Sequence, residues 1–361
     1  MFEQLGLGDI TPREASVWLA LAVGLLFGLL AEPTRFCFRR AVAGPRTERR
    51  SAGGLWLWAL GFAILGTQGA VMAGLIDFGG HRYTNTALPI LALVFGGLAF
   101  GIGMVLTRGC ITRLTILSAT GNLRALVVMV VFAIVAHATL KGVLAPLRLA
   151  LGSVTVEPGI STLSDLPGGA LVWSLLIAVP ALAYGITARI KPITLIAGAI
   201  IGLLIPAAWV GTGYVLLDEF DPIALESLAF TAPMADSLFY VIASTAVSPS
   251  FGGGVVAGVL VGALVASLIG RRFAWQSFDS PTQMGRYLTG GALMGAGGVL
   301  AGGCTIGAGL SGVPTLGLAA IIAILSIAAG GAIAARFVDR TSALGSGYAG
   351  SSDTQSLQPA E

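Results

Sequence analysis

Apolar residues occur in long runs, and the short stretches between the runs hold most of the charged residues. A helix crosses the hydrocarbon core with about 19 residues at about 1.5 Å each. Runs of that length predict nine membrane-spanning helices, near residues 13–31, 53–76, 88–107, 123–145, 168–188, 192–210, 252–270, 284–303 and 315–337. The apolar stretch 222–247 has Asp221, Glu226 and Asp236 in or beside it and a Pro-Gly-rich segment after it. It is therefore predicted to form short re-entrant helices rather than a tenth span.

The composition adds the class of protein. Hydrophobic residues make up 55% of the chain, charged residues make up 10%, and the mean hydropathy is +0.90. These values exclude a soluble domain and predict an all-α integral membrane protein surrounded by lipid. The net charge is only +3, so no nucleic-acid partner is expected. The 52 glycines and 16 prolines indicate close helix packing and backbone breaks inside the membrane.

The distribution of arginine and lysine predicts the orientation, because cytoplasmic loops collect these residues. With the N-terminus outside, the arginine-rich loops fall in the cytoplasm, as does the C-terminus. The loop 211–251 has no Lys or Arg, as expected of an external loop. We expect a multi-pass protein of the bacterial inner (cytoplasmic) membrane, with a disordered cytoplasmic tail at 341–361.

An internal repeat is the most informative feature of the sequence. Residues 96–110 match residues 290–304 at eight of fifteen positions. A further copy runs from Gly24 to Cys37, and another begins at Gly198 but has Gly211 where the others have cysteine. Each copy combines a GxxxG face, which lets helices approach closely, with a polar break. The glycines expected to pack helices or form breaks are Gly97, Gly101, Gly109, Gly291, Gly295 and Gly303.

The repeat also predicts how the two halves are related. Residues 1–165 contain two cysteine-bearing copies, and residues 166–340 contain the other two. Because five spans precede the second pair of copies, the second half is predicted to be inverted. Broken segments of inverted repeats meet near the bilayer midplane in many transporters. Cys37 and Cys110 should then approach the centre from the cytoplasmic side, and Cys304 from outside.

The three cysteines are candidates for a substrate pathway. Their odd number and the lack of a CxxC pair indicate neither a disulfide framework nor a zinc site, so no metal or cofactor is expected. A thiol is a weak donor with a polarizable sulfur, which suits the passage of a soft sulfur-bearing anion. Arg35 and Arg108 each stand two residues before a cysteine and could form an anion cradle with backbone N–H groups. The alternative is that the cysteines are small buried hydrophobic residues.

Two other polar residues leave alternatives open. His137 could belong to a proton path, or it could be a helix-buried histidine that donates to a backbone carbonyl. Glu32, which stands before Pro33, likewise has either a functional or a structural role.

These motifs resemble the YeeE/YedE family of membrane sulfur-compound transporters. The resemblance covers roughly residues 15–340 and is carried by Arg35-Phe36-Cys37, Arg108-Gly109-Cys110 and Gly302-Gly303-Cys304. It implies thiosulfate uptake through re-entrant segments, with Cys304, Cys110 and Cys37 relaying the anion by hydrogen bonds. It also implies a small TusA-like cytosolic sulfur carrier as a partner, while some relatives are associated with selenium or other sulfur compounds.

Two other classes of function compete with transport. A membrane-embedded sulfurtransferase would hold a persulfide on a cysteine, but no histidine base stands beside any of the three. A purely structural subunit would tolerate alanine at all three positions.

Overall fold

The computed structural model describes residues 10–218 and 222–348, and these residues form an all-helical bundle. The helices are α1 Pro12–Ala31, α2 Phe38–Ala43, α3 Arg46–Met72, α4 Ile90–Leu106, α5 Ile111–Ala119, α6 Leu123–Lys141, α7 Ala145–Gly152, α8 Gly169–Thr187, α9 Pro192–Val210, α10 Thr231–Ile242, α11 Phe251–Ile269, α12 Pro281–Leu300 and α13 Leu318–Tyr348. Two π-helical turns, Gly211–Val215 and Thr305–Gly312, continue the chain after α9 and near the end of α12.

The prediction of nine membrane-spanning helices is confirmed for the described residues. Nine helical segments are long and apolar enough to cross a membrane, at Pro12–Ala31, Arg46–Met72, Ile90–Ala119, Leu123–Lys141, Gly169–Thr187, Pro192–Val215, Phe251–Ile269, Pro281–Thr315 and Leu318–Val338. The stretch 222–247 contains one helix, α10, whose 12 residues extend about 18 Å and cannot span about 30 Å of hydrocarbon. Asp221 lies outside the described residues.

Local sequence explains where several helices begin. Thr11 caps α1 in a capping box with Glu14: the Glu14 N–H donates to Thr11 Oγ1 at 3.2 Å, and the Thr11 N–H donates to Glu14 Oε2 at 2.9 Å. Asn122, Ser250 and Ser280 cap α6, α11 and α12 in the same manner through their side-chain oxygens. The caps therefore satisfy N–H groups that a helix start leaves without partners.

The first helix of each repeat copy packs its glycine face on the second helix of another copy. Helix α1 lies on α11, α9 on α3, α4 on α13, and α12 on α6. The glycines allow this approach: a Cβ added at Gly295 would lie 2.7 Å from Phe132 O, and one at Gly101 would collide with Ile327 O. Gly97 faces Ala323 O, and Gly291 faces Val128 O, in the same two interfaces. Each of the four pairings joins a helix of residues 1–165 to a helix of residues 166–340.

Ion pairs and loop contacts define two ends of the bundle. At the arginine-rich end, which holds the loops 32–45, 107–122, 188–191 and 270–280, Arg272 pairs with Glu32 and Arg124 pairs with Asp279. The opposite end holds the loops 73–89, 142–168 and 211–250.

Helix α13 extends to Tyr348, so the first eight residues of the predicted tail 341–361 are helical, and 349–361 lie outside the described residues. Ala343 and Leu344 are good helix formers, which supports this extension.

Candidate functional site

Three helices break in the same way just before the three cysteines. The residue two positions before each cysteine is left-handed, with φ of 51° at Arg35, 57° at Arg108 and 70° at Gly302. The Phe36 N–H donates to Ala31 O at 3.1 Å, and the Gly303 N–H donates to Gly298 O at 2.9 Å, which closes the preceding helix. The chain is then extended at each cysteine and enters a new helical turn. The sequence repeat is therefore a repeat of backbone geometry.

Each cysteine occupies the cap position of the helical segment that follows it. The Gly307 N–H donates to Cys304 Sγ at 3.4 Å. The sulfurs of Cys37 and Cys110 face the N–H groups of Arg40 and Arg113, also three residues further on. All three thiols are thus held where backbone N–H groups converge, a setting that favours negative charge.

The breaks bring the cysteines into one continuous cluster. Cys37 and Cys110 lie close enough for their thiols to act on each other's charge, and Thr305, the neighbour of Cys304, lies close enough to act on Cys110. All three cysteines are free thiols and are buried, with exposures of 5% or less. Helices α4 and α12 begin at opposite ends of the bundle. Cys110, which follows α4, and Thr305, which follows α12, therefore come near each other in its interior.

Glycines at the breaks leave no space for side chains. A Cβ added at Gly109 would lie 3.3 Å from Leu114 Cδ2, and one at Gly303 would lie 2.8 Å from the Ala308 nitrogen. The position in the fourth copy is different, because Gly211 is helical and lies under the side chain of Leu19. The fourth position is therefore filled rather than open, and the chain there continues into a π-helical turn.

Arginines surround the inner thiol, but they are not the two that the sequence indicated. Arg113 and Arg39 are the positive charges that face Cys37. Arg113 Nη1 and Arg39 Nε are buried and donate to no acceptor among the described residues. Arg35 and Arg108 have exposed side chains, although Arg108 lies close enough to Arg39 to act on its charge. Their left-handed backbones form the breaks. Arg39 and Arg113 were identifiable only from their place in the first turn after a cysteine.

A second group of polar residues, which the sequence did not indicate, lines a cavity of about 240 Å³ at the opposite end. Gly307 is part of its wall and lies directly over Cys304. The cavity is lined by His81, Arg82, Tyr83, Trp209, Ala224, Leu225, Glu226, Ser227, Leu228, Ala229, Ala232, Pro233, Asp236, Ser250, Gly252, Gly307 and Ser311. We call this space the outer cavity.

Hydrogen bonds tie the outer cavity to the third break. The Tyr83 hydroxyl donates to Gly307 O at 2.8 Å, and Arg82 Nη2 donates to Tyr83 Oη at 3.1 Å. The Arg82 guanidinium also lies 4.9 Å from the centre of the Tyr83 ring. The Trp209 indole N–H is buried and donates to no acceptor among the described residues. The outer cavity thus offers a positive charge and a further donor close to Cys304.

Titratable groups set the charge of the outer cavity. Burial raises the pKa of Glu226 above its ordinary value of 4.5, Arg82 lowers it, and Asp236 raises it. Burial and, to a smaller extent, Arg82 lower the pKa of His81 from 6.5 to about 4. His81 is therefore neutral near pH 7, and Glu226 is the group that changes charge most readily as the pH falls.

His137 and Glu32 each contact another side chain, Phe239 and Arg272 respectively. His137 stacks on Phe239 with ring centroids 5.1 Å apart, and its Nδ1 has no hydrogen-bond partner among the described residues. The bond to a backbone carbonyl is thus missing for that nitrogen. Glu32 is buried and accepts from Arg272 Nε at 2.9 Å, so it forms an ion pair that connects the ends of α1 and α11.

The arrangement defines the class of protein. Inside the bundle of broken helices lie three buried free thiols and several buried donors that have no acceptor among the described residues. Among the described residues no group of three or more His, Cys, Asp or Glu side chains could hold a metal ion. Polar breaks inside a multi-pass bundle are characteristic of membrane transporters.

Comparison with known proteins gives the family. The chain belongs to the sulphur transport family, whose model matches residues 33–333. It is 25% identical over 324 residues to a thiosulfate transporter, TsuA, of Spirochaeta thermophila, a match that covers 85% of this chain and 94% of the relative. It is 26% identical over 316 residues to the thiosulfate transporter TsuA of Escherichia coli, with 80% and 85% covered. The chain is thus a multi-pass membrane transport protein for sulfur compounds.

Proposed function

We propose that the chain takes up thiosulfate, or a related sulfur oxyanion, and passes it along Cys304, Cys110 and Cys37. The observation that carries the proposal is that Cys110 is buried close to both Cys37 and Thr305, which belong to helix breaks in different halves of the chain. The names of the relatives support the substrate. The buried donors of Arg113 and Arg39, which have no acceptor among the described residues, support an anion.

The anion should bind weakly at several successive positions along the path. A dianion needs donors at every step, but a strong site would hold it. Thiols donate weakly, and their sulfur is polarizable, so each station offers an interaction that is easily exchanged for the next. Arg82 at the outer cavity and Arg39 and Arg113 beside Cys37 give positive charge at both ends of the line. Arg35 and Arg108 extend that charge to the surface of the arginine-rich end.

The decisive experiment is uptake of radiolabelled thiosulfate by cells that lack other sulfur importers, with sulfate, sulfite and selenite as competitors. Expression of the chain should restore uptake, and unlabelled thiosulfate should compete best. Stronger competition by selenite would assign a selenium substrate. A stable, reductant-released sulfane sulfur on the purified protein would instead support a sulfurtransferase.

The proposal includes location and direction. We place the protein in the inner membrane with the arginine-rich end in the cytoplasm, the second half inverted relative to the first, and a small TusA-like carrier as the recipient of sulfur there. A reporter that is active only in the cytoplasm should be active when it is fused at residue 345, and one that is active only in the periplasm should be inactive there. Activity of a periplasmic reporter at that site would contradict the orientation.

Inward movement of a dianion also needs an energy source. Against about 100 mV, inside negative, two charges cost about 4.6 kcal/mol at about 2.3 kcal/mol each. Uptake must therefore be coupled to another ion or to rapid consumption inside. The titratable Glu226 beside Arg82 is the residue of the outer cavity best suited to couple a proton.

A further inference from the structure

A long apolar groove separates α8 from α13 on the side of the bundle. Helix α8 packs on α3, α13 packs on α4, and α3 forms the floor between them. The groove has a volume of about 840 Å³ and is lined in its length by residues such as Leu57, Leu60, Ile177 and Ile321. Leu325, which lines it as well, is 63% exposed, so the groove opens to the side where lipid lies. We call it the lateral groove.

Three arginines of α3 line the arginine-rich end of the lateral groove. Arg49 Nε donates to Gly44 O, and Arg50 Nη2 donates to Thr187 O at 3.1 Å. Arg46 makes no hydrogen bond or ion pair with any residue that the structure describes. No carboxylate lines the groove within the described residues, because Glu48 of the same turn pairs with Arg40 at 2.8 Å. One end of an apolar groove therefore carries a concentrated positive charge.

We propose that the lateral groove binds one anionic phospholipid of the adjacent leaflet. Its acyl chains lie along Leu57, Leu60 and Ile321, and its phosphate lies at Arg46, Arg49 and Arg50. Arginine binds phosphate oxygens through several parallel N–H groups, and basic pockets between membrane helices favour anionic headgroups. A second copy of the chain fits less well. A two-fold dimer would place the arginines of both copies beside each other at the same depth, where their positive charges repel.

The proposal is tested by lipid binding to the whole purified protein. Phosphatidylglycerol and phosphatidylethanolamine with identical acyl chains are titrated onto delipidated protein, and bound molecules are counted by native mass spectrometry. We expect one tight phosphatidylglycerol molecule and weaker phosphatidylethanolamine binding. Arg46→Gln should weaken phosphatidylglycerol binding about fivefold. It should weaken phosphatidylethanolamine binding less, because the ammonium of that headgroup offsets the charge of its phosphate. Because Arg46 has no partner among the described residues, this variant should fold normally.

A second variant tests the apolar part of the groove. A Cβ at Gly53 would lie 3.7 Å from Ala41 Cβ and 3.9 Å from Tyr184 Cε1, so Gly53→Leu fits the helix and fills the groove. It should weaken binding of both lipids. The matched control is Gly69→Leu on the same helix, where nothing lies within 4 Å of an added Cβ. The control for charge is Arg271→Gln, which lies at the same end after α11. Neither control should change lipid binding.

Three results would overturn the proposal. Equal affinity of the wild type for the two lipids would remove the headgroup assignment. Unchanged phosphatidylglycerol binding in Arg46→Gln would show that the lipid binds at another site. A wild-type dimer that Gly53→Leu converts to monomers would make a second copy the occupant of the groove.

Discussion

The thiol of Cys110 lies close enough to Thr305 to be influenced by its side chain, although α4 and α12 bring these two residues from opposite ends of the bundle. Cys110 also lies close to the thiol of Cys37, so it stands between the other two breaks. A solute that passes from one end to the other along this line must exchange its contacts at Cys110.

Cys110 is therefore expected to be the most sensitive of the three cysteines. Cys110→Ala should abolish most uptake of labelled thiosulfate at unchanged expression, and Cys110→Ser should impair it less, because a hydroxyl keeps a donor of similar shape. The control is Thr115→Ala, one turn further along α5, whose hydroxyl donates to Ile111 O within its own helix. Normal transport by Cys110→Ala would show that these cysteines only fill space.

Arg82 is expected to capture the anion in the outer cavity. Arg82→Gln should raise the KM for uptake about tenfold with a smaller effect on the maximal rate, because a hydrogen bond to a charged group contributes about 1.5 kcal/mol or more. Arg13→Gln provides the control at the same end, since Arg13 donates to Ser248 and does not line the cavity. Equal effects of the two variants would show that Arg82 attracts the anion only as part of the surface charge at this end, and not by binding it in the cavity.

Uptake is expected to weaken as the external pH rises through the elevated pKa of Glu226. Below that pKa Glu226 is neutral and Arg82 is available to the anion; above it the carboxylate attracts Arg82 and repels the anion. The KM should therefore increase severalfold with pH, starting above the ordinary value of 4.5. His81, with a pKa of about 4, stays neutral across pH 5–8 and does not mask the effect.

Three variants separate the effect of Glu226 from that of other carboxylates in the outer cavity or at the same end of the bundle. Glu226→Gln should make the KM independent of pH in this range, whereas Glu157→Gln, an exposed residue of the same end, should retain the wild-type profile. Asp236→Asn should shift the midpoint downward without removing it, because Asp236 raises the pKa of Glu226. A pH profile that persists in Glu226→Gln would locate the titrating group elsewhere.

The left-handed backbone at Arg108 is expected to cost stability. A non-glycine residue in this region carries about 1–2 kcal/mol of strain, so Arg108→Gly should raise the thermal unfolding midpoint of the purified protein. The same change at Arg336, inside α13, should lower it, because glycine in a helix costs about 1 kcal/mol. If Arg108 serves the pathway, Arg108→Gly should reduce uptake despite its greater stability. A lower midpoint in Arg108→Gly would contradict the strain.

Helix packing at the repeat glycines is expected to tolerate no side chain. A Cβ at Gly101 would collide with Ile327 O, so Gly101→Ala should separate α4 from α13 and destabilise the protein by about 1–3 kcal/mol. Gly69→Ala, which meets nothing within 4 Å, should be neutral or stabilising. The two variants can be compared by thermal unfolding in the same detergent. Equal midpoints would refute the packing role of Gly101.

The sequence predicts the spans well because the thickness of the membrane sets the length of an apolar run. The breaks before Cys37, Cys110 and Cys304 follow from the repeat, which marks the same position three times. The repeat does not reveal that Arg35 and Arg108 form turns with their backbones while Arg39 and Arg113 face the thiol. Which side chain turns inward depends on tertiary packing of the short helices after each break.

The outer cavity could not be found from the sequence for a related reason. His81, Arg82 and Glu226 stand in loops without periodic pattern. They meet through contacts between distant segments, in which Tyr83 donates to Gly307 O and Thr212 donates to Glu226 O. The segment Thr305–Gly312 contains three glycines, but this composition does not show that it forms a π-helical turn. Such residues are brought together by contacts between distant segments, which local pattern does not encode.

The exchange of glycine faces between the halves has a consequence for biosynthesis. The glycine face of α1 fits α11, which is completed only when the ribosome has passed Ile269. During most of translation the first helix stands in lipid with its main native surface uncovered, and neither half can assemble a core alone. Such long sequence separation makes assembly late and slow. A chain truncated before residue 251 should therefore be recognised by membrane quality control and degraded.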